Sequence, residues 1–325
     1  MKQKITRTVT ILVGILLFAF FIYQIGPQQI WKNILEISIW NFLILFFLRF
    51  LYWVLRTINW KVILDEYDGK TSLLHLFNAR MVGHAVSQLT FTAQVGSEAT
   101  RIFMVNRSNR KVCVASVVVD KTIEFIAAIV FTILGVVIIF FRIPLPMKFK
   151  IIFVGGVSIC SLLLFFFFRK QKKGLLGWIV DLLAKFKIKP RYLIRHREKI
   201  NETDQYISEF YRAHKRAFLK VFLLYSLLIL LWTVEIHLNI IYIGDTSISF
   251  IDSFLITVLG NLAFIFPFIP GSLGIYEATY IVLFALLGRR PDVGLALVVI
   301  RRILALLLAG FGLLGMIKLQ TRSGN

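Results

Sequence analysis

The sequence predicts an all-α polytopic membrane protein, with about six full transmembrane helices and two re-entrant or broken helix pairs in an inverted repeat. Three observations carry that expectation. Apolar residues make up 58% of the 325 and charged residues 17%, a balance that belongs to polytopic membrane proteins and not to soluble domains. The apolar residues gather in runs long enough to cross a hydrocarbon core of about 30 Å. Two further regions, residues 73–104 and the stretch Pro267–Glu277, interrupt the pattern with polar residues, prolines and glycines.

The elements follow in order. Lys2, Lys4 and Arg7 precede an apolar run, Thr8–Ile25, and no small-x-small cleavage site follows it, so a retained first span is expected in place of a secretion signal. The positive-inside rule places its basic end in the cytoplasm. A short outer loop with Trp31, Lys32 and Glu36 leads to a second span, Ile39–Arg56. Tyr52, Trp53 and Trp60 are expected as interfacial anchors of that span, and Arg49 inside it requires a partner or a polar cavity. Leu73–Leu89 carries His75, Asn78, Arg80, His84 and Gln88, too polar for a helix exposed to lipid. The next apolar piece, ending at Val105, is interrupted by Gln94–Arg101. Two short helices entering and leaving on one side fit both facts, because such backbone is tolerated only within protein or beside water.

A third span, Val112–Phe141, contains Asp120, Lys121 and Glu124, with Asp120 and Glu124 on one helix face. A fourth covers Ile151–Phe168. Between Arg169 and Lys220 there are fifteen Lys and Arg against five Asp and Glu, which marks a cytoplasmic loop. Within it Leu175–Phe186 has the period of an amphipathic surface helix; a solvated loop that only sets topology is the alternative. A fifth span, Phe218–Ile243, carries Glu235 and His237. The second short pair, Phe250–Phe266 and Tyr276–Leu287, flanks the Pro/Gly stretch, and Val293–Lys318 forms the last span with Arg301 and Arg302. The chain is thus read as one integral membrane domain, 1–325, with a first half at 1–168, a basic cytoplasmic loop at 169–217 and a second half at 218–325. Span–pair–span on each side of that loop puts both termini in the cytoplasm and the protein in the plasma membrane as a multi-pass chain.

Composition also excludes. The net charge is +21, which in a soluble chain would direct attention to nucleic acid; concentrated in one loop between apolar runs, it predicts an anionic membrane face and no nucleic acid. Cys113 and Cys160 share no motif spacing and read as reduced, buried hydrophobes. The five histidines lack metal spacing, and no Ser-His-Asp or Gly-x-Ser-x-Gly pattern offers a nucleophile. No cofactor, metal or catalytic residue is therefore expected. Gly310, Gly312 and Gly315 match a dinucleotide pattern but lie in an apolar run, where helix packing accounts for them.

The stretch Pro267, Pro270, Gly271, Gly274, Glu277 fits Pro-x-x-Pro-Gly-x-x-Gly-x-x-Glu, and with it the chain resembles the transmembrane domain of lysylphosphatidylglycerol synthases, a group often labelled flippase-like. An Arg in that family's last helix is matched by Arg301 or Arg302, and its Gly-Glu-x-x-Arg element resembles Gly96-Ser97-Glu98-Ala99-Thr100-Arg101, with Ser97 added. Lys121 stands where the family's Asp-Arg pair has Arg, and Ala93 where a Pro precedes the earlier element. The resemblance spans about residues 5–318 and implies lipid handling between leaflets, without the soluble transferase.

A lipid headgroup carrying phosphate needs a cation, and Arg provides a bidentate fork. Arg80, Arg101 and Arg301 are the phosphate candidates. Glu98, Asp120, Glu124, Glu235 and Glu277, with Lys121 beside them, are candidates for contact with an added amine or for static pairing with the arginines, Glu98 to Arg101 and Glu277 to Arg301. Backbone amides at Gly271, Ser272 and Gly274 would suit an anion at a broken-helix N-terminus. The expected substrate is an anionic phospholipid, an aminoacyl-phospholipid or a polyprenyl-phosphate-linked precursor. Two other functions stay open: a membrane-embedded transferase acting on a polyprenyl phosphate, for which the first outer loop offers only Glu36, and a scaffold for a soluble lipid-modifying enzyme. A second copy of the chain is the other partner left open.

Overall fold

The computed structural model describes residues 27–67, 71–89, 93–105, 110–142, 147–171, 173–185, 195–261 and 274–323. The first predicted span, Thr8–Ile25, and the Pro267–Leu273 part of the late motif, with Gly271 and Ser272, lie outside the described residues. Among those described, the regular structure is helical and forms twelve helices. In chain order they are α1 (Pro27–Leu35), α2 (Ile39–Asp65), α3 (Leu73–Leu89), α4 (Ala93–Val105), α5 (Arg110–Arg142), α6 (Met147–Gln171), α7 (Leu175–Lys185), α8 (Arg197–Ala213), α9 (Lys215–Tyr242), α10 (Phe250–Gly260), α11 (Ile275–Leu286) and α12 (Pro291–Ser323).

Five of these, α2, α5, α6, α9 and α12, contain stretches long and apolar enough to cross a membrane. At 1.5 Å per residue the 27 residues of α2 reach about 40 Å, beyond the hydrocarbon core. The short helices do not reach that far. α10 and α11 have 11 and 12 residues, about 16 and 18 Å, and α4 has 13, about 20 Å. The order long helix, short pair, long helix occurs twice: α2, α3/α4, α5 and again α9, α10/α11, α12.

Helices extend past the predicted boundaries where tertiary packing holds them. α2 continues to Asp65 because Trp60, Ile63 and Leu64 are buried. Trp60 donates its indole N–H to Ser116 Oγ at 3.0 Å, and Tyr52 is also buried, so neither is the interfacial anchor expected from sequence. Residues 27–35, expected as loop, are helical. Pro27 suits the first helical turn, where its missing N–H costs nothing, and Asn33 donates to Asp292 Oδ2 at 3.0 Å. α8 was hidden within the basic loop, yet Thr203, Ile207, Phe210 and Tyr211 recur at helical spacing and are buried.

The chain divides into two compact units. The first comprises Met1–Val54, Phe77–Arg101 and Leu228–Asn325. Its core joins Leu45, Ile236, Ile240, Tyr280, Phe284, Leu297, Ile300 and Leu304. α12 is its most enclosed long helix, with 61% of its apolar part buried. A Cβ on Gly312 would lie 2.2 Å from the Met81 carbonyl oxygen, so α12 meets α3 backbone to backbone there, and close packing is what that glycine serves. The second unit comprises Leu55–Leu76 and Ile102–Leu227, with Val119, Ile123, Ile207, Phe210 and Val221 buried in it. α6 is its outer helix: only 6% of its apolar part is buried, a surface suited to lipid.

Candidate functional site

Trp232, Glu235 and Asn239 stand three and four residues apart on α9 and share one face. Arg49 of α2 reaches that face, forms an ion pair with Glu235 and lies 5.3 Å from the Trp232 ring centre. Arg301 of α12 lies over the same ring at 4.7 Å, and its Nη1 donates to the Tyr280 hydroxyl at 3.3 Å. The Tyr276 hydroxyl donates to the Tyr280 oxygen at 3.0 Å, and Tyr52 packs edge-on against Trp232 with centres 4.9 Å apart. Two guanidinium groups thus share one indole, whose electron-rich faces attract cations.

The two arginines differ in their compensation. Arg49 has Glu235. Arg301 is 4% exposed, and among the described residues no carboxylate lies within ion-pair distance of it, while its Nε has no hydrogen-bond partner. Asn239 is fully buried, and neither its amide nitrogen nor its amide oxygen is hydrogen-bonded among the described residues. Buried polar groups are ordinarily satisfied, because leaving one unmade costs about 1–3 kcal/mol.

The late motif is built differently. Gly274 precedes α11 with φ of 82°, a conformation that glycine adopts without a Cβ clash. Glu277, fully buried, accepts the Gly274 N–H on Oε2 at 2.6 Å. Its Oε1 accepts from Arg302, Nε at 2.8 Å and Nη2 beside it. The pairing of Glu277 with Arg301 expected from sequence is therefore replaced by its neighbour, Arg302. Successive residues on a helix point about 100° apart, so one arginine can clamp the motif while the other faces α9. Glu98 and Arg101 do pair, on α4, with Arg101 buried.

The remaining predicted residues belong to the second unit. Asp120, fully buried, accepts the Tyr225 hydroxyl at 2.6 Å. Glu124 takes both Arg56, at 2.5 Å, and Lys121 Nζ, at 2.9 Å. The predicted set thus divides: Arg80, Glu98, Arg101, Glu235, Gly274, Glu277 and Arg301 fall in the first unit, and Asp120, Lys121 and Glu124 in the second. Trp232, Asn239, Tyr276 and Tyr280 were not singled out from sequence. A lone Asn one turn beyond a Glu in an apolar helix was the available signal for one of them.

The family described as lysylphosphatidylglycerol synthase TM region matches residues 7–312. A UPF0104 membrane protein of Methanothermobacter thermautotrophicus is 26% identical, over 94% of this chain and 92% of its own length. No solved structure matches.

Proposed function

This chain belongs to the lysylphosphatidylglycerol synthase TM-region family, and from that premise we propose that it binds an anionic lipid in its first unit and moves it between leaflets. The substrate class is a phosphate on a lipid anchor: a phospholipid, an aminoacyl-phospholipid or a polyprenyl-phosphate-linked precursor. The observation that carries the reading is Arg301, a buried guanidinium without a carboxylate partner among the described residues.

Charge arithmetic supports an anion. Apart from Lys32, Asp252, Asp292, Lys318 and Arg322 near helix ends, the first unit's helices carry Arg49, Arg80, Arg101, Arg301 and Arg302 against Glu98, Glu235 and Glu277 among the described residues. A charged side chain at bilayer centre costs about 2.5–3.5 kcal/mol on insertion scales, so such residues are retained for function. A phosphate that replaced the Tyr280 hydroxyl on Arg301 would gain two charge-assisted hydrogen bonds. The unpaired Asn239 amide supplies a further donor on that face. Twice-occurring long–short–short–long helices favour alternating access between inverted halves, with the basic loop and both termini in the cytoplasm and the protein in the plasma membrane.

The test is leaflet exchange in proteoliposomes. Wild type is expected to speed exchange of labelled phosphatidylglycerol above empty vesicles but not that of phosphatidylcholine, and Arg301→Gln, with unchanged helix content, is expected to lose the acceleration. Equal rates for wild type, Arg301→Gln and empty vesicles overturn the proposal.

A further inference from the structure

In the second unit, a groove of about 800 Å³ opens between the end of α6, α7 and α8. Its walls are firm. Asp204 of α8 accepts the N–H groups of Leu176 and Gly177 at 2.9 and 2.8 Å, capping the start of α7. Gln171, at the end of α6, donates to Thr122 at 2.5 Å and accepts from the Tyr211 hydroxyl at 2.7 Å, tying α6 and α8 to α5.

Among the groove's charged groups, two carboxylates are already used. Asp204 is spent on the α7 cap, and Asp181 is paired with Arg197 at 2.6 Å. Lys170, Lys173 and Arg212 then stand against Glu209 alone, and Asn201 and Gln205 add neutral hydrogen-bonding groups. Lys170 Nζ sits 5.0 Å from the Trp178 ring centre and 5.5 Å from that of Phe166. Below the groove, Ile159, Leu162, Leu163 and Phe166 are exposed on α6 at spacings of three and four, and Lys170 continues the same stripe one turn later. From Ile159 to Lys170 the rise is about 16 Å, close to the depth of one leaflet's hydrocarbon.

An apolar track one leaflet long, ending in cations beside an indole, has the layout of an acyl chain below its phosphate. We propose that this groove is a second lipid site, separate from the Arg301 face, which holds one anionic phospholipid of the leaflet at the C-terminal end of α6. Its chemistry is a phosphodiester recognised by Lys170, Lys173 and Arg212, with Trp178 at the level of the glycerol backbone and the chain laid along α6. Tryptophan prefers this interfacial level, and each surface cation adds to the attraction of an anionic lipid.

Brominated phosphatidylglycerol, titrated into the full chain in phosphatidylcholine nanodiscs, tests this through tryptophan quenching. The expected result is a saturable quenching component that is absent in Trp178→Phe. In Lys170→Gln/Lys173→Gln/Arg212→Gln it should require on the order of 100-fold more lipid, since each cation contributes about fivefold. Leu163→Gln, which keeps all three cations, is expected to weaken the component by interrupting the track. Arg301→Gln is expected to leave it unchanged, so failure here and failure of the transport reading are separate results. A component equal in wild type and the triple variant overturns the proposal. So does one that brominated phosphatidylcholine produces equally, or one that inorganic phosphate displaces as readily as phosphatidylglycerol does, which would mark a free-phosphate site.

Discussion

Replacing Glu277 by Gln isolates the ion pair that closes the late motif. The amide oxygen of Gln can still accept the Gly274 N–H, so the turn keeps its cap, but Arg302 loses a carboxylate that it meets with two nitrogens. Removing one partner of a fully buried pair costs about 3–5 kcal/mol. Here Glu277 is fully enclosed while the Arg302 side chain is 23% exposed, so water recovers part of the loss and about 2–3 kcal/mol is expected. The assay is reversible unfolding in mixed micelles, run as a double-mutant cycle with Arg302→Gln. The cycle should return a coupling of about 1.5–3 kcal/mol between positions 277 and 302, and one near zero between 277 and 301. Coupling to Arg301 in place of Arg302 would refute the assignment of one arginine to the clamp and the other to the α9 face. Under the proposed lipid transport, a loss of exchange in Glu277→Gln would report the broken contact between Glu277 and Arg302, whereas a loss in Arg301→Gln would report lost recognition.

Three further outcomes follow from the geometry. Gly312→Leu forces a side chain into the Met81 backbone, whose carbonyl oxygen would lie 2.2 Å from its Cβ; separation of α12 from α3 should lower stability by at least about 2 kcal/mol in the same unfolding assay. Asp204→Ala uncaps α7, and hydrogen exchange at the amides of Leu176 and Gly177 should accelerate, consistent with a cap of about 1 kcal/mol. The hydrogen bond from Arg197 to Asp181 holds that carboxyl below the usual aspartate range. The stabilisation of the pair is therefore present above the unfolded aspartate value and lost as pH falls through the lower folded one. The carboxyl carbon shift of Asp181 should titrate at lower pH in wild type than in Arg197→Gln.

The two runs of long helix, short pair and long helix were legible in the sequence because each interruption has a local cause: polar residues such as His75, Arg80 and His84 in α3, and Gly274 with its positive φ before α11. What was not legible depends on contacts distant in sequence. Trp60 lies near the apolar end of α2 and looks like an interfacial residue; only its bond to Ser116, 56 residues on, makes it core. Arg301 and Arg302 are adjacent and alike, so the rotation of α12 against α11 decides which one meets Glu277, and no local pattern encodes that rotation. The need of Arg49 for a partner was evident from its apolar flanks, and the partner proved to be Glu235, 186 residues away. α8 was missed because its charged residues outnumber its apolar ones, although the buried positions Ile207, Phe210 and Tyr211 keep helical period. Asn239 and Tyr280 carry no motif and became visible only when α9, α11 and α12 were seen to converge on Trp232.

The most direct measurement is a cryo-electron microscopy map of the protein in nanodiscs of anionic phospholipid. Recognition of a lipid phosphate by Arg301 predicts headgroup density within about 3 Å of its guanidinium, with acyl density leading away, and its disappearance in Arg301→Gln. A map in which a protein carboxylate occupies that position, with no lipid density near Trp232, Asn239 or Tyr280, would contradict it.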